Sequence, residues 1–145
     1  MAEEMTPEEI KSLFSALRKI NFFSLVPMKT MERMISQFIK KEYKKGEAII
    51  KQGKAGTALY IIKSGSCLVY RKTGWFSKQD IATLKPGDFF GEMSLIFDNP
   101  TSASVMTAEP SELFMFMKSD FWYTLDGNTE LQDQIRKIAE QRRKG

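Results

Sequence analysis

From Phe38 onward the chain is punctuated by glycine, at Gly46, Gly53, Gly56, Gly65, Gly74, Gly87 and Gly91, and the apolar period between them shortens. That is the rhythm of short strands joined by turns. It predicts strands over 37–43, 48–51, 58–63, 66–72, 79–84, 102–108 and 112–118, with Phe89-Phe90 as a further strand end. Several short strands over about eighty residues favour an antiparallel sandwich or barrel over a parallel sheet.

Helical periodicity flanks this core on both sides. Thr6-Pro7-Glu8-Glu9 is a capping box with proline at the first helical position, and Ile10, Leu13, Phe14, Leu17 and Ile20 recur at three and four residues. An amphipathic helix over 7–19 follows. A second helix starts near Pro27, where Met28, Met31, Met34 and Ile35 form an apolar stripe read as packing. After Lys118, Ser119 or Asp120 caps a short helix over 121–125, whose Phe121, Trp122 and Tyr123 read as core, and Asp126-Gly127-Asn128 breaks it. The final helix runs from Thr129 with a narrow stripe of Leu131, Ile135 and Ile138, able to lie across a barrel mouth or to pair with its twin in a homodimer. One domain is expected, mainly β with flanking helices: a helical segment over 1–36, a barrel over 37–118 and helices over 119–145.

Several functions are excluded by what the chain lacks. With one cysteine, Cys67, and no histidine, neither an intrachain disulfide nor a Ser-His-Asp or Cys-His catalytic unit can form, and zinc has almost no ligand set. No enzyme and no metal site is expected. The start, Met-Ala-Glu-Glu-Met, is acidic and no apolar run follows it, so a cytoplasmic protein without a membrane segment is expected. The net charge of +4 resides in a tail holding Arg136, Lys137, Arg142, Arg143 and Lys144 against Glu140. Cations there complement a helix macrodipole and are weak evidence for nucleic acid. With the sequence ending at Gly145 after the long helix, no DNA-reading domain is expected.

The chemistry concentrates in Gly87–Val105. Gly91 and Glu92 follow an apolar strand end and precede a short helical stretch over 93–97, so backbone amides at its start converge as an anion cradle. Yet no Lys, Arg or His lies between Lys85 and Lys118. Glu92 has the plainer reading of a first-turn carboxylate, and Thr101 and Ser102 that of small residues opening a strand after Pro100. At Trp75-Phe76, two large aromatics stand on a hairpin loop, either folded back on the barrel or offered to a partner. Cys67 reads as a buried strand residue.

Taken together, Lys45-Gly46-Glu47-Ala48-Ile49-Ile50 with Gly53, Ala58-Leu59-Tyr60-Ile61-Ile62-Lys63-Ser64-Gly65, and Pro86-Gly87-Asp88-Phe89-Phe90-Gly91-Glu92-Met93-Ser94-Leu95 resemble the cyclic nucleotide-binding domain family. This is the family of the cAMP receptor protein and the protein kinase A regulatory subunits. The resemblance implies an eight-stranded antiparallel jelly-roll barrel, a phosphate-binding cassette over 90–105, and cAMP or cGMP as ligand. It implies a site of Phe90, Gly91, Glu92, Met93, Ser94, Thr101, Ser102 and Ala103, with Glu92 on the ribose 2′-hydroxyl and amides of 91–94 facing ribose and phosphate. Leu131, Ile135 and Ile138 would form a lid.

One position departs from the family pattern. The cassette arginine falls at Thr101, whose hydroxyl offers one neutral hydrogen bond in place of a bidentate, charge-assisted pair. Losing such a partner costs about 2–5 kcal/mol, or roughly thirty-fold to several thousand-fold in affinity. Ser102 follows, and a hydroxyl there favours guanine in the family. The two readings are a sensor that signals through its C-terminal helix and an interaction module that has lost the nucleotide.

Overall fold

A computed structural model describes residues 5–144, with side chains through Gln141. The acidic start before Met5 and the side chains of Arg142, Arg143 and Lys144, on which the reading of the basic tail depends, lie outside these residues. Eight strands form: β1 (Ile39–Tyr43), β2 (Ala48–Ile50), β3 (Ala58–Ser64), β4 (Cys67–Lys72), β5 (Lys78–Leu84), β6 (Phe89–Phe90), β7 (Ser104–Thr107) and β8 (Ser111–Met117). They make two four-stranded sheets, ordered β1-β8-β3-β6 and β2-β7-β4-β5, and every pairing is antiparallel. This is the expected jelly-roll architecture.

Period-two alternation divides the first sheet between two apolar cores. From β3 and β8, Leu59, Ile61, Phe114 and Phe116 face the helical layer, whereas Ile62 and Leu113 face the barrel interior with Cys67, Phe90 and Val105. Cys67 is fully buried, and burial pushes its thiol up to about 11, so it stays protonated at neutral pH.

The helical layer comprises α1 (Pro7–Leu17), a 3-10 turn over Asn21–Leu25, α2 (Met28–Ile35), α3 (Lys118–Thr124) and α4 (Thr129–Lys144). The 3-10 turn contributes Phe22 and Phe23, whose rings meet Phe121 of α3 at centroid distances of 6.1 and 5.6 Å. Asn128 Oδ1 accepts the Leu131 N–H at 3.1 Å and so opens α4 after the expected break.

Three sequence expectations are corrected. Met28 and Tyr123 are exposed, at 50% and 79%, because α2 opens at Met28 and Tyr123 lies on the outer side of a single-sided helix. α3 starts directly after β8, at Lys118, with no side-chain cap; the Lys118 N–H is taken by Thr57 O at 2.8 Å. β7 begins at Ser104 rather than Ser102, since the chain before it is held to the 51–54 turn: Thr101 N–H donates to Lys54 O and Gly53 N–H to Thr101 O, both at 2.9 Å.

α1 is joined to the barrel through one carboxylate. Glu9 completes the capping box, Thr6 N–H donating to Oε1 at 2.8 Å and Glu9 N–H to Thr6 Oγ1 at 3.1 Å. Its Oε2 also meets Lys63 of β3 at 2.8 Å and Lys40 of β1 at 3.2 Å, while Lys63 reaches Glu112 of β8 at 2.7 Å. The Lys63 hydrogen bond, then the Thr6 amide, outweigh burial and hold the Glu9 carboxyl at about 2, below its usual 4.5. A lowered folded-state value means stabilisation present above pH 4.5 and lost as pH falls toward 2. Glu9→Gln is therefore expected to lower stability at pH 7, with the difference from wild type shrinking between pH 4.5 and 2 in urea unfolding measured across pH.

Candidate functional site

A pocket of about 800 Å³ opens against the barrel between the Phe90–Ser94 segment and residues 99–103. Its size is that of a small-molecule site. The lining includes Phe90, Gly91, Glu92, Met93, Ser94, Thr101, Ser102 and Ala103, so all eight cassette residues singled out in the sequence come together. Val69 of β4, Leu84 of β5 and Ile50 of β2 supply an apolar wall that motif reading missed. Strand alternation was the available signal, because Val69 lies on the same face as buried Cys67.

Two absent side chains let the cassette lie flat on β3. Gly91 has φ +84°, and a Cβ there would stand 2.5 Å from Ala58 O. Gly56 faces Ser94, whose Cβ would stand 2.8 Å from an added Cβ. After Gly91 the chain makes a 3-10 turn, Glu92–Leu95, in which Ser94 N–H donates to Gly91 O at 3.1 Å. The Ser94 amide is thus spent inside the turn, a correction to the four-amide cradle. A four-residue turn also carries little macrodipole, so any anion attraction comes from individual N–H groups.

Thr101 lines the pocket, but its hydroxyl donates to Lys51 O at 2.8 Å. The hydrogen that was expected to face an anion is therefore used to pin the cassette to the β2–β3 turn. Among the described residues, Glu92 is the only ionisable one in the lining. The nearby cation comes from β4: Arg71 Nε donates to Ser102 O at 3.0 Å. Arg71 follows Val69 by two residues and shares its face of the strand. Asp88 serves the turn before the site, its Oδ2 accepting Lys85 N–H at 2.9 Å.

The expected lid is elsewhere. Leu131 and Ile135 are buried, and Ile138 half-buried, in the helical core, where α4 packs on the 3-10 turn of Phe22 and Phe23. None of the three lines the pocket. The same packing occupies the stripe that would otherwise pair with a twin. Contact between cassette and helices runs instead through Trp122, whose Nε1 donates to Leu95 O at 2.6 Å and whose ring lies 4.4 Å beneath the Arg136 guanidinium of α4. Lys118 adds a second link, to Phe97 O at 3.4 Å and to the Asp98 carboxylate.

The family model for the cyclic nucleotide-binding domain matches residues 40–128, from β1 through the whole cassette to the break before α4. The chain belongs to the cyclic nucleotide-binding domain family. The domain is 34% identical over 100 residues to the cyclic AMP receptor protein of Thermus thermophilus, covering 69% of this chain and 46% of that protein. It is 32% identical over 95 residues to the cGMP-dependent protein kinase of Eimeria tenella, covering 66% of this chain and 9% of the kinase. Among solved structures, the Thermus thermophilus catabolite activator protein superposes with TM-score 0.66 at 29% identity, over 84% of this chain and 57% of that one. The cAMP-bound PfPKA-R superposes with TM-score 0.77 at 25% identity, over 85% and 44%. The domain thus spans under half the length of these two curated relatives, corresponding to the binding region and not to a kinase catalytic domain.

Gly91→Ala tests the close approach on which the pocket is built. A Cβ against Ala58 O at positive φ is expected to cost about 1–3 kcal/mol, read as a lowered urea midpoint with an unchanged slope.

Proposed function

We propose that the domain is a cytoplasmic sensor whose pocket takes a cyclic purine nucleotide, cAMP or cGMP, and passes occupancy to its C-terminal helices. One observation carries the reading: a pocket of ligand size gathers all eight cassette positions of a cyclic nucleotide-binding domain. Glu92 is the acceptor for a ribose hydroxyl, a role suited to a carboxylate and unsuited to phosphate. Amides of Gly91, Glu92 and Met93 would serve ribose and phosphate, and the apolar wall at Val69 and Leu84 the base. Ser102, exposed at the rim, keeps guanine in play.

The phosphate lacks its usual partner, and Arg71 is the guanidinium placed to reach it. Binding weaker than in an arginine-bearing cassette is expected, because Arg71 is exposed and starts from a bond to Ser102 O. Readout through Trp122 is favoured over wholesale release of α4. Lifting Leu131 and Ile135 from the core would expose apolar side chains worth about 1.5–3 kcal/mol each. A shift of α3 transmitted from Leu95 O moves α4 without that cost, and biases it only if ligand prefers one helix position. A protein partner or second copy would meet the outer face of α4, whose inner stripe is already covered.

A nucleotide-independent interaction module is the second reading. It is favoured by a pocket whose only ionisable lining residue, among those described, is an anion, and by the Thr101 hydroxyl being committed to Lys51 O.

Isothermal titration with cAMP and with cGMP at millimolar reach separates the two. Heat and thermal stabilisation with either nucleotide support the sensor; neither signal with both leaves the interaction module. Thr101→Arg should tighten binding about thirty-fold or more, after breaking one neutral hydrogen bond worth about 1 kcal/mol. Absence of any gain would mean that position 101 does not face the phosphate.

Trp122→Phe tests the route. Nucleotide affinity should stay within about threefold, since Trp122 does not line the pocket, while ligand-induced protection of α4 amides in hydrogen exchange is lost. Protection that persists in the variant would place the route elsewhere.

A further inference from the structure

Among the described residues, the β4–β5 hairpin ends in the most exposed large apolar side chains. Trp75 and Phe76 are 96% and 102% exposed, so neither folds back on the barrel. The loop is closed at its base, Thr73 N–H donating to Ser77 O and Thr73 Oγ1 to Ser77 Oγ, both at 3.1 Å. That closure holds the two rings at the tip. β5 is an edge strand, and Lys78 to Thr83 are exposed along it, so the hairpin stands out from the barrel.

Basic residues flank the loop that carries these rings. Lys72 and Lys78 lie on the hairpin beyond Arg71, which is turned to Ser102 O, and Asp80, within 3.7 Å of Lys78, is the hairpin's only acid. Gln52 Oε1 accepts the Lys72 N–H at 2.8 Å and holds the β2–β3 turn alongside, which adds exposed Lys51 and Lys54. A tip of this charge disfavours a symmetric contact with a second copy, which would bring like charges together. Protein partners are disfavoured on area as well. Two aromatic side chains offer about 150–250 Å² each on a convex tip, against the roughly 1,200–2,000 Å² of a stable protein interface. A bilayer surface needs no complementary shape. It accepts Trp and Phe at the headgroup level and attracts Lys and Arg when its lipids are anionic.

We propose that the β4–β5 hairpin docks the domain on an anionic lipid surface, with Trp75 and Phe76 entering the headgroup region and Lys72, Lys78 and the adjoining Lys51 and Lys54 facing acidic headgroups. Residence there is reversible, because one aromatic pair and a handful of cations fall short of a permanent anchor. The inference is independent of what fills the pocket.

The test is sedimentation of the full chain with vesicles of phosphatidylcholine alone and of phosphatidylcholine mixed with phosphatidylserine. Binding to the mixed vesicles, weakened by salt and reduced about tenfold or more in Trp75→Ser/Phe76→Ser, is the expected result. Both positions are exposed, so circular dichroism should match wild type. No partition into the mixed vesicles overturns the proposal, as does equal binding by the double variant. Association of the chain in lipid-free solution that the double variant abolishes, without vesicle binding, also overturns it and assigns the tip to a protein contact.

Discussion

The pocket exists because β3 and the cassette approach more closely than side chains allow. At Gly91 the backbone turns through positive φ directly over Ala58 O, and at Gly56 the neighbouring turn makes room for Ser94. With a Cβ at either place the cassette would stand off β3, and the 3-10 turn would no longer aim Glu92 and Met93 at the cavity. β3 is also paired with β8, the strand on which both cores rest, so the cassette is referenced to the most constrained part of the barrel. Preorganisation of this kind lowers the ordering cost of ligand binding.

As a phosphate site the cavity would have unusual electrostatics. The Thr101 hydroxyl ties the cassette to Lys51 O, which secures the shape of the cradle but spends the donor. The Arg71 guanidinium, bonded to Ser102 O from a neighbouring strand, is exposed to solvent and does not line the cavity. A buried guanidinium would be worth more per contact, yet leaving one unpaired in the empty state would be expensive. Threonine avoids that cost.

Much of this was legible in the sequence, and the failures share a cause. The capping box at Thr6 and Glu9 and the strand boundaries set by glycine are local patterns, readable from spacing, whereas the membership of the pocket came with the family resemblance. The second role of Glu9 was not, because Lys40 and Lys63 are far along the chain and meet it only once the barrel closes. The resting place of Leu131, Ile135 and Ile138 was hidden for the same reason. An apolar stripe announces burial without naming its partner, and here the partner is the 3-10 turn of Phe22 and Phe23, which has no periodic signature. Ser102 and Ala103 read as strand because alternation ignores the backbone bonds at Thr101 that delay it.

The division of β3 and β8 between two cores has a consequence for cooperativity. Leu59, Ile61, Phe114 and Phe116 belong to the helical layer, while Ile62 and Leu113, interleaved on the same strands, belong to the barrel. Loss of either core therefore disturbs the strands that carry the other, which ties the stability of the barrel to that of the helical layer. Binding that tightens the cassette therefore bears on the layer packed against β3 and β8, whereas α4, which rests on the 3-10 turn of Phe22 and Phe23, is reached through Trp122.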